Sequence, residues 1–299
     1  MSSPSPSTSR SSALVALSAC CFGAISIFTL VATGAGVPLA SVLVGRYALA
    51  APLFALVAWG QLRTPLTPRK HGAMLLLGGG QAVIAGLGLS ALRYIPAATA
   101  AFVFYTYPAW VALAAAARGT EALTPRRMLA LAISLGGVLA MVGAPAERTT
   151  DLRGVAFSLS AAVAYSLYIL LANRMQRGTT PSVFSMHIAA GAFLAIVAYG
   201  TLNGTLVLEL PLRAWMAIVG LAVVSTVIGF NLWLRGLAVL GPVRTAIIST
   251  VEPFCTAILG FFVLGQPFTT GTLLGGCMIA AAVLLLQRRE ASRVQQIDA

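Results

Sequence analysis

The sequence predicts an all-α integral membrane protein: ten transmembrane helices in two five-helix repeats of inverted topology, with both termini inside. Three observations predict it. The first is composition. Of 299 residues, 59% are hydrophobic and 9% charged, with mean hydropathy +0.92, whereas a soluble domain carries about 25% charge. Seven acids, nineteen bases and two histidines cannot cover a soluble protein of this length. The second is that apolar runs of about one bilayer's width recur between short polar links. The third is that an early stretch returns late. Ala97 to Ala117, AATAAFVFYTYPAWVALAAAA, holds Pro108 just after Phe102, Phe104, Tyr105 and Tyr107. Val243 to Leu264, VRTAIISTVEPFCTAILGFFVL, holds Pro253, 145 residues later; at that offset Glu121 falls on Gln266, Thr124 on Thr269 and Leu129 on Leu274. A proline in an apolar helix frees a carbonyl and bends the helix, so it needs protein or water beside it. Two such helices at equivalent places point to the lining of a central path.

Each element follows from its own residues. The Ser/Pro-rich opening, residues 1–11, reads as a disordered cytoplasmic tail. The apolar run after it lacks a clear small-residue cleavage site and reads as a first span rather than a signal peptide. The ten spans are expected at about 12–31, 39–59, 72–89, 97–117, 128–142, 155–173, 182–202, 214–234, 243–263 and 270–286. The turn Thr33 to Pro38 closes the first span, and a basic linker with Arg63, Arg69, Lys70 and His71 precedes the third. Gly78, Gly79, Gly80 and Gly86 in the third span allow close helix contact, and Arg93-Tyr94-Ile95-Pro96 makes the next tight turn. The mixed-charge segment 143–154, with Glu147, Arg148, Asp151 and Arg153, separates the halves. The repeats are therefore 12–142 and 155–287, joined by an external linker at 143–154 and followed by a cytoplasmic tail at 288–299.

Charge sets the orientation. With the amino terminus inside, the inner segments hold Arg10, Arg63, Arg69, Lys70, Arg118, Arg126, Arg127, Arg174, Arg177, Arg235, Arg288, Arg289 and Arg293. The outer ones hold only Arg93, Arg148, Arg153 and Arg213. That bias puts both termini in the cytoplasm. Five spans per half then make the halves antiparallel, an arrangement that in carriers places a site at the repeat interface near mid-depth. The net charge of +12 is scattered at membrane boundaries, not gathered on one face, so nucleic acid is not an expected partner. The expected partners are the lipid bilayer and a small-molecule substrate, with a monomer as the working unit. Cys20, Cys21, Cys255 and Cys277 lie in apolar runs and read as packing residues, with no disulfide framework. No catalytic set, nucleotide-binding loop or metal-ligand spacing occurs, so neither an enzyme nor a cofactor is expected.

Polar groups inside spans are costly and usually face the bundle interior or a water-filled path. Arg46, His187, Arg244 and Glu252 are therefore the gating or coupling candidates, with Pro108 and Pro253 as hinges. Arg46 can meet a substrate carboxylate, or merely snorkel and hold backbone carbonyls. His187 can carry a proton or serve structure. Glu252 can bind a proton, a cation or a substrate ammonium, or pair with a base from another helix. Arg244 lies about 12 Å from Glu252 along an ideal helix, too far to pair directly. The cavity candidates are Phe28, Gln81, Tyr105, Tyr107, Trp110, Tyr165, Tyr168, Asn231 and Trp233. Tyrosine and tryptophan offer an apolar face with a hydrogen-bonding edge, although each such ring can equally be packing. Trp59 and Trp215, near span ends, read as interfacial belt residues. Only two bases at depth and many aromatics favour a neutral or zwitterionic solute with a hydrophobic part over a strongly anionic one.

Three stretches carry a family resemblance: Arg46-Tyr-Ala-Leu; Tyr107-Pro108 followed by Thr120-Glu121-Ala-Leu-Thr-Pro125; and Glu252-Pro253 followed by Gly265-Gln266-Pro-Phe-Thr269. In order and spacing the chain resembles the drug/metabolite transporter superfamily, EamA type, over nearly its whole length. It departs where that family shows a Gly-Glu-like pair, having Thr-Glu in the first half and Gly-Gln in the second. Within the superfamily it most resembles bacterial aromatic amino-acid exporters of the YddG type. The resemblance implies an inner-membrane carrier that exports aromatic, and other apolar, amino acids by alternating access. Related exporters of cysteine-pathway compounds, threonine or homoserine, or cationic drugs are the alternatives, and a membrane channel or an intramembrane enzyme is a more distant one.

Overall fold

Twelve α-helices account for most of the described residues. The structure, a computed structural model, describes residues 8–61, 66–95, 97–142 and 151–295, with backbone alone at 61, 98, 142 and 287–295. The helices are α1 (Thr8–Gly34), α2 (Leu39–Ala58), α3 (Pro68–Ala91), α4 (Ala97–Phe104), α5 (Tyr107–Ala117), α6 (Pro125–Val142), α7 (Leu152–Met175), α8 (Pro181–Leu202), α9 (Leu212–Gly220), α10 (Gly229–Ser249), α11 (Val251–Leu264) and α12 (Thr270–Gln295). A 3₁₀ turn, Trp59–Gln61, follows α2, and a π-helical segment, Leu221–Ile228, joins α9 to α10. No strand occurs among the described residues. Seven helical stretches there are long and apolar enough to cross a membrane, while Val251–Leu264 and Thr270–Leu286 are shorter apolar helices. Arg63, Pro96, Glu147 and Arg148, with most of the expected 143–154 linker, lie outside the described residues, as do 1–7 and 296–299.

Local chemistry starts and stops these helices. Thr67 caps α3, its hydroxyl accepting from the Lys70 amide, and Pro68 follows at the first helical position. Thr180 and Pro181 open α8 the same way, and the Asp151 carboxylate accepts from the Arg153 amide at the head of α7. Each cap satisfies an amide that the helix leaves without a partner. Gly265, at φ 66°, ends α11 in the left-handed conformation that glycine adopts freely. Two expected tails are shorter than anticipated. Helix α1 begins at Thr8, inside the polar opening, because Ser11 and Ser12 are buried where α1 packs on Gly236 of α10. Helix α12 continues to Gln295, into the expected 288–299 tail. Arg69, Lys70 and His71 likewise belong to the first turns of α3 rather than to a linker.

The two proline-bearing spans are broken rather than bent. Helix α4 ends at Phe104 and α5 starts at Tyr107, with Pro108 in its first turn. The 38-residue stretch Leu212–Ser249 is divided at Gly241, whose φ of 75° and ψ of 169° are not helical. A second half-helix, residues 242–249, stops at Thr250, and α11 then carries Pro253 in its first turn. At both breaks a threonine closes the last turn before the proline. The Thr106 amide and hydroxyl donate to the Val103 carbonyl, and those of Thr250 donate to the Ile247 carbonyl. The proline two or three residues on has no amide for the carbonyl four residues before it, Phe104 or Ser249, and crowds the preceding turn. The break therefore falls just before each proline.

Packing joins α2 to α8, α6 to α12, α3 to α7 and α8, and α1 to α9, the π segment, α10 and α11. Small residues set the closest approaches. A Cβ on Gly78 would collide with the Ile188 carbonyl, and one on Gly191 with the Leu75 carbonyl, so α3 and α8 touch backbone to backbone. Gly137 and Gly275 play the same part between α6 and α12. Close contact of this kind replaces the hydrophobic drive that lipid cannot provide between helices. Helix α1 also meets α11 closely: Thr256 Oγ1 donates to the Gly23 carbonyl at 3.1 Å. Cys20 and Cys255 face each other there, Cα to Cα 5.1 Å, a separation that a disulfide can span. The two pack as neighbours across the α1–α11 contact, a pairing that the sequence reading did not make. Apolar spacing alone cannot tell which two cysteines of different helices meet. Cys21 and Cys277 are free.

Candidate functional site

A cavity of about 230 Å³ lies where α1, α2, α3, α4, α7, α8, the π segment, α10 and α11 converge. Each long helix presents one face to it. The lining residues recur three or four apart, as a single helical face requires: Phe22 and Ile25; Leu43, Arg46 and Tyr47; Gln81, Ile84 and Ala85; Tyr165 and Tyr168; Ser185, Ile188 and Ala189; Thr226, Phe230 and Trp233. Phe54, Phe104, Ile196 and Glu252 complete the wall.

Two opposite charges share this aromatic wall. Arg46 Nε donates to Thr226 Oγ1 at 2.8 Å, and its guanidinium lies 5.0 Å from the centre of the Tyr47 ring. The Thr226 hydroxyl passes its own hydrogen on to the Leu221 carbonyl at 2.9 Å, five residues back. The π segment has carbonyl-to-amide bonds one residue longer than an α-helix, and such segments gather at functional sites. Here it turns Thr226 toward Arg46. Arg46 and Glu252 form no ion pair with each other, which leaves both side chains open to a third group. Ser185 Oγ is buried without a hydrogen-bond partner among the described residues and belongs to a lining residue. Buried polar atoms are normally satisfied, so this one is a natural contact for a bound solute or water.

The break between α4 and α5 gathers the aromatic rings. Phe104 lies 5.6 Å from Tyr165 and 5.7 Å from Tyr107, ring centre to ring centre. Tyr107 stands edge-on to Tyr165 at 4.9 Å, and Tyr165 stacks on Tyr168 at 6.1 Å. Tyr107 is fully buried. Its hydroxyl donates to the Ala246 carbonyl at 3.4 Å, tying α5 to the half-helix 242–249.

Of the candidates read from sequence, Arg46, Gln81, Tyr165, Tyr168, Trp233 and Glu252 line the cavity together. Tyr105 and Tyr107 stand behind them in the ring cluster, with Pro108 buried beside Tyr107. Trp110 Nε1 donates to Thr106 Oγ1 at 3.3 Å, away from the lining. Phe28 packs over Gly220 in a separate apolar cluster with α9. Asn231 bonds Ser182 at 3.1 Å and Arg235 at 2.8 Å. Arg244 donates to the Leu286 carbonyl of α12 at 2.9 Å, and Pro253 sits in the first turn of α11. His187 meets the chain's other histidine: His71 Nδ1 and His187 Nε2 are 2.6 Å apart, while His187 Nδ1 lies 2.8 Å from the Val183 carbonyl. That carbonyl can only accept, so His187 Nδ1 carries a hydrogen and the His71 Nδ1–H donates to His187 Nε2. Of the lining residues not anticipated, Phe230 had a signal in lying three residues before Trp233, whereas Tyr47, next to Arg46, and Thr226, with no anticipated residue within four positions, stand at no helical spacing from one.

A bundle of apolar helices enclosing a small cavity of one acid, one base and many rings defines a multi-pass membrane protein with a solute-sized interior site. Two segments, residues 10–143 and 152–288, match the EamA-like transporter family. The chain belongs to that family and is a membrane transporter. It is 29% identical over 261 residues to the uncharacterized transporter YcbK of Bacillus subtilis, covering 82% of each chain. It is 26% identical over 200 residues to an uncharacterized transporter of Archaeoglobus fulgidus, covering 67% of this chain and 70% of that one. A protein known from its crystal structure shares the fold, with TM-score 0.80 at 19% identity over 96% of this chain and 99% of that one.

Proposed function

We propose that this transporter exports aromatic, and other apolar, amino acids from the cytoplasm across the bacterial inner membrane, as the resemblance to exporters of the YddG type implies. The observation that carries the reading is the pairing of Arg46 and Glu252 in one ring-lined cavity without an ion pair between them. A zwitterionic amino acid presents a carboxylate to the first and an ammonium to the second, and leaves an apolar side chain for Phe104, Tyr165 and Trp233. The cavity of about 230 Å³ is below the roughly 300–1,000 Å³ of drug-sized sites, which favours a single small metabolite over a bulky drug.

The architecture we propose is ten spans in two inverted repeats, 12–142 and 155–287, acting as a monomer with both termini cytoplasmic. The two-segment family match supports it. So do the paired breaks at Thr106 and Thr250 and the reciprocal packing: α2 on α8, α6 on α12, and α3 on α7 as α1 is on α10. Alternating access then runs by rocking one repeat against the other, with the two proline breaks as hinges.

Flux from proteoliposomes loaded with labelled phenylalanine or tryptophan tests the reading. Saturable release inhibited by unlabelled aromatic amino acids is the expected result. Folded protein that releases neither would remove the substrate and return the field to other small metabolites and organic cations. An imposed pH gradient that changes the rate, with the dependence lost in Glu252→Gln, would give that carboxylate a coupling role as well.

A further inference from the structure

A second, larger cavity opens away from the central one, with a volume of about 970 Å³. It lies between the α5–α6 turn, the last turns of α7 and the chain break at Gly241. Four arginines line it: Arg118, Arg127, Arg174 and Arg177. Arg127 is neutralised by Glu121 at 2.9 Å, and Glu121 also accepts from the Val243 amide at 3.2 Å, across Gly241. The side chains of Arg118, Arg174 and Arg177 make no hydrogen bond or ion pair with any described residue. Gln176 lines the same cavity, is 6% exposed, and its side-chain amide nitrogen has no partner among the described residues.

We propose that this cleft is a binding site for a phosphate-bearing anion, separate from the solute cavity and independent of which solute is carried. Arginines at a membrane boundary often do no more than set topology. Two features go beyond that. The three unpaired guanidiniums share one cavity, and a buried, unsatisfied amide donor lies in its wall, where ordinarily a partner is found. Guanidinium forks match phosphate oxygens in geometry as well as charge. Arg118 comes from the first half of the chain, and Arg174 and Arg177 from the second, so a bound anion bridges the two halves and holds them in this arrangement. A free phosphate compound and an anionic lipid headgroup offer the same chemistry.

The test uses purified full-length protein, with unfolding temperature as the readout. One arm titrates inorganic phosphate against chloride at constant ionic strength, in neutral detergent. The other compares nanodiscs of phosphatidylcholine with nanodiscs that also contain phosphatidylglycerol. A rise with phosphate alone assigns a soluble anion; a rise with phosphatidylglycerol alone assigns a lipid headgroup. Either rise must vanish in R118Q/R174Q/R177Q. The uncharged substitution Gln176→Leu must weaken the half-saturating concentration about tenfold, the scale of a hydrogen bond to a charged group. It also serves should the triple variant not fold. No rise in either arm, or a rise that Gln176→Leu leaves unchanged, overturns the proposal: the arginines are then a diffuse field and not a site.

Discussion

At Arg46 a single hydrogen bond decides which way a charge points. Thr226 occupies the guanidinium's Nε, which leaves the terminal nitrogens for a ligand. If they meet a substrate carboxylate, Arg46→Gln raises the half-saturating concentration for phenylalanine by about ten- to hundred-fold, the scale of a lost charged hydrogen bond. It leaves phenethylamine, which has no carboxylate, unchanged. Glu252→Gln weakens both compounds, because both carry the ammonium. Competition in proteoliposome flux measures all four combinations, and an equal loss for the two compounds in Arg46→Gln would remove Arg46 from the site. Glycines at the same scale govern stability rather than binding. Gly78→Ala drives a methyl into the Ile188 carbonyl, and overpacking of this kind costs about 1–3 kcal/mol. Gly80→Ala, two residues on, meets nothing within 4 Å. The first variant melts lower than wild type and the second does not, as thermal unfolding in detergent will read.

At the scale of elements the broken spans carry the argument. Thr106 and Thr250 turn two interruptions into capped ends, so each break is a defined joint. Replacing Pro108 and Pro253 together with alanine restores two backbone donors and removes two ring clashes. The expected result is slower turnover with little change in half-saturation, because the joints move while the cavity wall stays. Unchanged kinetics in folded, inserted protein would end the hinge idea. The sequence showed where the joints lie, since a proline in an apolar run is visible, but not their form. A bend and a break differ in how the turn before the proline is closed, here by threonines that read as ordinary span residues. Side-chain direction was legible to the same extent. Glu252, Gln81 and Tyr165 announce themselves by being polar where polarity is costly. His187, Arg244 and Asn231 announce themselves equally, yet each is satisfied by a residue far off in the chain: His71, Leu286 and Ser182. Residue type reports the cost of burial; only the fold reports who offsets it.

At the scale of the whole molecule the proposed topology makes one demand that neither cavity nor joint can meet alone. The links after the fourth and seventh spans must lie on opposite sides of the membrane, the first inside and the second outside. Ala122 and Glu209 are exposed in those two links. The bias of bases toward one set of links is the reason for placing Ala122 in the cytoplasm, because basic segments resist translocation. Cysteines introduced one at a time, Ala122→Cys and Glu209→Cys, report the arrangement when intact cells receive a membrane-impermeant maleimide, with wild type as the blank. Glu209→Cys reacts in intact cells, and Ala122→Cys reacts only after the membrane is opened. The reverse pattern would invert the protein and turn the proposed export path around. Labelling of both from one side would require an even number of spans between them, in place of the three the proposal has there. The halves would then no longer be antiparallel, and a rocking mechanism about a shared central cavity would lose its geometric basis.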